Sequence, residues 1–194
     1  MIERIQQIAR QSIETKRAFF ESQSESVARA AEIIIESVSA GGKLLIFGNG
    51  GSAADAQHIA AELVNRLNYD RPAIPAIALT TDTSILTSVG NDTSFDELFE
   101  RQVRALGRAG DVAVAISTSG NSANVLRAAA AAREMGIKLI GLAGRTGGKL
   151  ASMVDVALIV KADSTQRIQE THITIGHILC EMVEETLYPP GGHS

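Results

Sequence analysis

Apolar residues recur every three to four positions in the first forty residues. They form two groups, Ile2, Ile5, Ile8, Ile13 and Phe20, then Val27, Ala31, Ile34, Ile35 and Val38. This spacing is typical of amphipathic helices. The Ser/Glu-rich segment 21–26 separates the groups, and Gly41-Gly42 is a typical helix end. The pattern therefore predicts a pair of N-terminal helices.

From residue 43 onward, short apolar runs alternate with helical patterns. The runs cover 43–47, 73–79, 112–116, 138–143 and 156–160, and the helical patterns cover 52–67, 83–89, 95–106, 122–135, 147–152 and 166–187. Strands that are apolar on both faces and separated by helices indicate a parallel sheet covered on both sides. The sequence thus predicts an α/β protein, a three-layer α/β/α sandwich with a five-stranded parallel sheet plus the N-terminal helical pair.

The sandwich is complete without the N-terminal helices. We therefore expect residues 1–194 to form a single domain, with 1–40 as a helical extension used in oligomerisation. The apolar face of the first helix would then pack against another subunit. A loose tail is expected after residue 188, and His193 within it receives no role.

Charge and cysteine content narrow the class of protein. The chain has 22 acidic and 18 basic residues, a net charge of -4. Nucleic-acid-binding domains usually present a basic face, so no direct nucleic-acid partner is predicted. One cysteine, Cys180, builds no disulfide framework, so we expect a reducing cytoplasm. The charged N-terminus does not resemble a signal peptide, and no apolar run approaches the roughly 18 residues of a membrane span.

The first strand ends in a glycine-rich turn, Gly48 to Ser52. Glycines let a backbone approach a ligand closely, and a helix N-terminus attracts anions. The turn also fits the dinucleotide fingerprint G-x-G-x-x-A, which requires an acidic residue at the end of the second strand. The only candidate, Asp70, precedes that strand. A phosphate-bearing small ligand is therefore favoured over a nicotinamide cofactor, with a ligand-free tight turn as the alternative.

Two further polar loops are predicted at the same sheet edge. "STSGNS", Ser117 to Ser122, carries more hydroxyls than a helix cap requires, which favours anion binding over capping alone. "GNDTSFD", Gly90 to Asp96, contains Asn91 and Asp92, which suit sugar hydroxyls and ordinary turns equally well.

His58 and Glu62 are four residues apart and share one face of a largely apolar helix. They either form a simple helix pair or serve a site. The last helix adds Gln169 and His177, which are separated by about 12 Å of helical rise and meet one ligand only if their side chains converge. Together the four residues offer a nitrogen and oxygen set for a divalent metal, with zinc favoured. Histidine and carboxylate also suit acid–base chemistry near neutral pH.

Anion-binding loops, a carboxylate, histidines and a metal are the groups that sugar-phosphate isomerisation uses. A base takes a proton from the carbon next to a carbonyl, an enediol(ate) forms, and an acid returns the proton to the neighbouring carbon. The carbonyl oxygen needs polarisation by a metal or a donor.

Three segments, "GNGGSAADAQH", "AISTSGNSANV" and "RIQETHITIGHIL", closely resemble the sedoheptulose 7-phosphate isomerases, also called phosphoheptose isomerases, of the sugar-isomerase (SIS) domain superfamily. The resemblance covers nearly the whole chain. It implies a flavodoxin-like SIS fold, a homotetramer, and conversion of sedoheptulose 7-phosphate to D-glycero-D-manno-heptose 7-phosphate, the first step towards the ADP-heptose of lipopolysaccharide cores.

The resemblance also implies roles for residues. Glu62 would be the base and His177 the acid. One zinc ion per subunit would be held by His58, Glu62, Gln169 and His177. The substrate would be held by Asn49, Gly50, Gly51, Ser52, Glu62, Asn91, Asp92, Ser117, Thr118, Ser119, Ser122 and Gln169. Glu62 cannot easily be both a tight zinc ligand and a free base unless the metal shifts during turnover.

Two functions other than an enzyme are also compatible with parts of the sequence. "RPAIPAIAL", "RQVRALG" and "CEMVEETLYP" resemble equally the initiator-associating protein, a non-catalytic SIS protein that binds the replication initiator DnaA. That protein lacks the acidic residue at the Glu62 position and the histidine at the His177 position, so the isomerase is favoured. A ligand-sensing SIS module would normally adjoin a DNA-binding or kinase domain, for which 194 residues are expected to leave no room.

Overall fold

Five parallel strands form the central sheet of the computed structural model, which describes residues 1–190. They are β1 (Leu44–Gly48), β2 (Ala76–Ala78), β3 (Val112–Ser117), β4 (Lys138–Gly144) and β5 (Val156–Val160). Their order is β2-β1-β3-β4-β5 and every neighbouring pair is parallel. This is the strand order of flavodoxin-like folds. The predicted five-stranded parallel sheet is confirmed, whereas the glycines and His193 of the expected tail lie outside the described residues.

Six α-helices cover the two faces of this sheet: α1 (Ile2–Ser39), α2 (Gly51–Val64), α3 (Thr83–Asp92), α4 (Leu98–Leu106), α5 (Ala123–Glu134) and α6 (Thr165–Leu187). Leu44 and Ile46 of β1 pack with α1, α2 and α6, while Leu45 and Phe47 pack with α3, α4 and α5. Alternate residues of one strand thus enter two separate apolar cores, because side chains of a strand point to opposite faces. The predicted three-layer sandwich is confirmed.

The predicted N-terminal helical pair is wrong, because α1 is one continuous helix of 38 residues. Its polar middle contains neither Gly nor Pro, and Ser and Glu are tolerated in helices. Ser22 and Ser24 turn their hydroxyls back onto the carbonyls of the preceding turn. The Gln23 amide donates to the carbonyl of Ile159 at 2.6 Å and accepts from its N–H at 3.1 Å. The polar segment therefore fastens the middle of α1 to the edge strand β5.

Other helices and strands differ in their bounds from the predicted ones. The edge strand β2 is limited to three residues, since it follows Pro75, which has no N–H for a sheet hydrogen bond. The helix predicted over 95–106 consists of a 3-10 turn, Phe95–Glu97, followed by α4. The one predicted over 147–152 is only a 3-10 turn, Leu150–Ser152. No helix in residues 1–190 is long and apolar enough to cross a membrane.

The carboxyl ends of β1 and β3 lie side by side, with Gly48 paired to Ile116. From β1 the chain passes into α2 on one face of the sheet, and from β3 it passes into α5 on the other face. The connections diverge at this point and leave a crevice, which is where open α/β sheets bind ligands. The glycine turn and the serine-rich loop both border it.

Candidate active site

The glycine turn brings the backbone of β1 close to its neighbours. A Cβ atom at Gly48 would lie 2.7 Å from the carbonyl oxygen of Ile116 and 2.8 Å from the Cβ of Ser52. Gly50 has a φ of +57°, which L side chains rarely adopt, and it immediately precedes α2. Ser52 is buried in the first turn of α2. The N–H groups of Ser52, Ala53 and Ala54 already donate to the carbonyls of Asn49 and Gly50. Anion binding at the start of α2 therefore stays a prediction.

The serine-rich loop continues β3 into α5. The hydroxyls of Ser117 and Ser122 are 3.0 Å apart, and the Ser119 hydroxyl accepts from the backbone N–H of Asn121. Ser122 occupies the N-cap position of α5, but its side chain makes no capping hydrogen bond. Helix capping therefore does not account for the Ser122 hydroxyl, and the role of this loop in anion binding stays a prediction.

The side chain of Asn49 is already engaged within the protein. Its amide nitrogen donates to Asn124 Oδ1 and its Oδ1 accepts from the Asn124 amide, both at 2.9 Å. Asn124 is buried in the first turn of α5. Asn124 was missed in the sequence. The feature that could have revealed it is a polar residue in the first turn of a helix whose other buried residues are apolar. The pair ties the glycine turn to the start of α5.

Asn91 and Asp92 belong to a helix rather than to the predicted loop. They are the last residues of α3, because the helical hydrogen bonds continue up to the bond from the Thr93 N–H to the Val89 carbonyl. Both are exposed, and the Asn91 amide donates to the Asp92 carboxylate at 2.8 Å. Their role in holding substrate stays a prediction.

Three of the four predicted metal ligands converge between α2 and α6. His58 Nε2 lies 3.1 Å from Glu62 Oε1 and 3.3 Å from His177 Nε2. One ligand atom from each residue lies within 4.8 Å of the other two. The side chain of His58 is 48% exposed and that of Glu62 is 23% exposed, so the cluster is open to a ligand.

The close contacts within this cluster need more hydrogens than the side chains provide, which favours a bound cation. Neutral His58 has at most one hydrogen on Nε2, yet that atom faces both a carboxylate oxygen and a second imidazole nitrogen. Ligands around a tetrahedral zinc ion are about 3.4 Å apart, given Zn–N distances of about 2.0–2.1 Å. The observed spacings of 3.1 and 3.3 Å are close to that value. The donor set therefore suits a divalent transition metal.

Gln169 of α6 lies beside the first turn of α2. A side chain at Gly51 would collide with the Gln169 amide, so the two residues are in close contact at the start of α2. His177 lies eight residues later and contacts His58. The structure thus places Gln169 beside the glycine turn, and its membership of the metal site stays a prediction.

Two titratable groups on the helices that carry the cluster, Asp55 of α2 and His172 of α6, have shifted pKa values. Burial raises the pKa of the Asp55 carboxyl to about 6, an effect that nearby His58 partly offsets. Asp55 was not singled out from sequence, although it lies three residues before His58 on α2. Burial lowers the pKa of His172 to about 4, although its bond to the Ala143 carbonyl favours the charged form. His172 is thus neutral, and its Nε2 lies 3.1 Å from that carbonyl oxygen.

Comparisons with known proteins identify the family of this chain. Residues 7–144 match the SIS domain family. A phosphoheptose isomerase of Aquifex aeolicus is 55% identical over 95% of this chain and 97% of its own length. One of Thermodesulfovibrio yellowstonii is 50% identical over 96% of this chain and 92% of its own length. The solved structure of phosphoheptose isomerase GmhA from Neisseria gonorrhoeae superposes with a TM-score of 0.90 at 48% identity, covering 94% of this chain and 98% of that one. The chain belongs to the phosphoheptose isomerase family of SIS-domain proteins.

Proposed function

We propose that this protein is the isomerase that converts sedoheptulose 7-phosphate to D-glycero-D-manno-heptose 7-phosphate. The observation that carries the proposal is the convergence of His58, Glu62 and His177 between α2 and α6. The glycine turn leads directly into the helix that bears two of these residues. Relatives at 47–57% identity carry the name phosphoheptose isomerase, which favours this function over DnaA binding.

The phosphate and hydroxyl groups of the substrate would be held at the crevice between β1 and β3. In general, backbone N–H groups at a helix start and nearby hydroxyls can bind an anion without a cationic side chain, and this is the role proposed for the glycine turn and the serine-rich loop. The proposed substrate contacts are Asn49, Gly50, Gly51, Ser52, Glu62, Asn91, Asp92, Ser117, Thr118, Ser119, Ser122 and Gln169.

Glu62 is the proposed base and His177 the proposed acid. Glu62 removes a proton from C1 of the ketose, next to the C2 carbonyl, and an enediol(ate) forms. His177 then delivers a proton to C2, and transfer of a proton from the C1 hydroxyl to the C2 oxygen leaves the aldehyde and the C2 hydroxyl of the aldose. The His58 ring lies between the two side chains, in contact with both.

We further propose one zinc ion per subunit, with His58, Glu62, Gln169 and His177 as ligands. When bound, zinc supplies polarisation of the substrate carbonyl. A carboxylate has two oxygens, and only Oε1 of Glu62 is within hydrogen-bond distance of His58. We assign the proton transfer to the other oxygen, Oε2, which reconciles the two roles of Glu62.

The proposed assembly is a cytoplasmic homotetramer that supplies heptose for lipopolysaccharide cores. Support for assembly comes from α1, whose Ile2, Ile5 and Ile13 are 72%, 59% and 57% exposed. An apolar stripe of this kind typically packs against another chain.

The test is a discontinuous isomerase assay on purified protein with sedoheptulose 7-phosphate, after chelation and with or without added zinc. Heptose 7-phosphate formed only with zinc supports both the reaction and the metal. Turnover that is indifferent to zinc keeps the reaction and removes the metal. Absence of turnover in both conditions, with tight DnaA binding, overturns the proposal.

A further inference from the structure

A fully buried ion pair joins the segment after α2 to α6. Arg71 Nε donates to Glu184 Oε1 at 2.9 Å, and the two side chains are 1% and 0% exposed. Glu184 also accepts from the backbone N–H groups of Leu67 and Asn68 at 3.0 and 2.9 Å. Although burial opposes its charge, these amides and Arg71 lower the pKa of Glu184. The carboxylate is therefore charged and fully engaged at neutral pH.

The remaining nitrogens of Arg71 reach the end of the helix that bears the proposed base. Nη2 donates to the carbonyl of Glu62 and Nη1 to that of Leu63, both at 2.8 Å. Carbonyls in the last turn of a helix have no partner within the helix, and that end of the helix attracts cations. Arg71 thus holds the last turn of α2 through the backbone of Glu62 itself.

Glu184 lies two helical turns after His177 on α6, about 10 Å along the axis. Near the other end of this stretch, Gly176 lets α6 approach α2, since a Cβ there would lie 2.7 Å from Ile59 Cδ1. The two helices are therefore fixed at two points, one beside each end of the segment that carries the cluster. Apolar contact alone permits sliding, whereas the hydrogen bonds of a guanidinium are directional.

We propose that Arg71 and Glu184 are positioning residues that set the spacing of α2 and α6, and with it the distance between Glu62, His58 and His177. Arg71 acts through its hydrogen bonds to the backbone of α2, and Glu184 acts by fixing the position of α6, the helix that carries His177. The catalytic part of this inference rests on the proposed isomerase function. The spacing of the metal ligands does not depend on it.

The chain offers a matched control immediately before β3, at the amino ends of the strands. Asp111 accepts from the backbone N–H groups of Lys43 and Arg108 and from Lys43 Nζ at 3.0, 2.8 and 2.6 Å. The side chains of Lys43 and Asp111 are 21% and 4% exposed. Asp111 thus has the same kind of partners as Glu184, two amides and one basic side chain, and none of these partners belongs to α2 or α6.

The experiment compares E184Q, R71K and D111N with the wild-type protein. We measure kcat and KM with sedoheptulose 7-phosphate, the dissociation constant of Zn²⁺ by calorimetric titration of metal-free protein, and Tm. In E184Q and R71K we expect kcat to fall roughly 10- to 100-fold with KM within about twofold, because misplacement by about 1 Å has effects of this size. Zn²⁺ should bind roughly 10- to 100-fold more weakly, as when residues that orient metal ligands are changed. D111N should lower Tm comparably and leave kcat and Zn²⁺ affinity unchanged.

R71K keeps a positive charge beside Glu184 but removes the guanidinium hydrogen bonds to the α2 carbonyls. It therefore tests the inference even if E184Q does not fold. Wild-type kcat and Zn²⁺ affinity in R71K overturn the inference. So does a loss of kcat in D111N that matches the loss in E184Q at equal Tm, since the pair would then be merely structural. A wild-type protein without turnover refutes the proposed function instead, and the Zn²⁺ titrations still test the spacing of the ligands.

Discussion

Asn49 and Asn124 hydrogen-bond to each other through both side-chain amides, at 2.9 Å in each direction. One belongs to the turn after β1 and the other to the first turn of α5, which follows β3. The bonds cross the crevice where the chain connections diverge. They connect the glycine turn to the start of α5, the helix that follows the serine-rich loop. Under the proposed function, this connection would set the distance between the two loops that hold the substrate.

Replacement of Asn124 by Ala removes both bonds and leaves the Asn49 amide without its partner. We expect KM for sedoheptulose 7-phosphate to rise roughly tenfold, equivalent to about 1.4 kcal/mol, with a smaller change in kcat. Steady-state kinetics measure both. Asn65→Ala, at the exposed C-cap of α2, is the control. An unchanged KM in Asn124→Ala would show that the two loops do not need this tie.

Replacement of Glu62 by Gln keeps the shape of the side chain and removes the proposed base. Turnover should be abolished, a loss of roughly 10²- to 10⁴-fold or more, while substrate binding stays largely intact. Single-turnover assays and calorimetric titration with substrate separate the two effects. Glu134→Gln, an exposed carboxylate at the end of α5, is the control. If Glu62→Gln remains active, the assigned base is wrong.

Replacement of Gly51 by Ala places a methyl group where the Gln169 amide lies. Gln169 must then move away from the start of α2, and we expect kcat/KM to fall about tenfold or more. Gly90→Ala in α3, where a Cβ meets nothing within 4 Å, is the matched control. It should raise stability by about 0.5–1 kcal/mol and leave kcat/KM unchanged. Equal activity of both variants would show that Gln169 does not need its observed position.

The stability of the protein should depend on pH through His172. Its pKa falls from 6.5 to about 4 on folding. Between these values the unfolded chain binds a proton that the folded protein does not, so stability is full above pH 6.5 and declines as the pH falls towards 4. The decline is roughly 1.4 kcal/mol per pH unit.

His172→Gln keeps a donor for the Ala143 carbonyl and removes the titration. We therefore expect the difference in free energy of unfolding between wild type and His172→Gln to shrink by about 2 kcal/mol from pH 7.5 to pH 5. Urea denaturation at both pH values measures it. Asp55 titrates in the opposite sense but is common to both proteins, so it cancels. A constant difference would mean that His172 is not buried as a neutral ring.

Sequence patterns were sufficient for the sandwich because each strand is a short apolar run and each helix has its own amphipathic period. They failed at residues 21–26, where a polar segment looks like a helix break unless its partner is known. That partner, the backbone of Ile159, is 136 positions away from Gln23. Periodicity within one segment carries no information about such a contact.

The candidate site shows the same division. His58 and Glu62 share a helix face by their spacing alone, and His177 stands out as a polar residue in the largely apolar last helix. Neither Asn124 nor the pair of Arg71 and Glu184 was predicted, because each acts through a partner that only the folded chain brings close. Chemistry within one helix turn is visible in sequence, whereas the contacts that hold the helices in place are tertiary.

The contact between α1 and α6 determines when α1 can pack during synthesis of the chain. The Arg167 guanidinium donates to the carbonyl of Ile8 across 159 positions, and the two helices pack along each other. On the ribosome α1 is finished long before its partner exists, and contacts so distant in sequence slow folding. Since α6 also brings His177, we expect a nascent chain to gain its catalytic centre only when translation reaches its last helix.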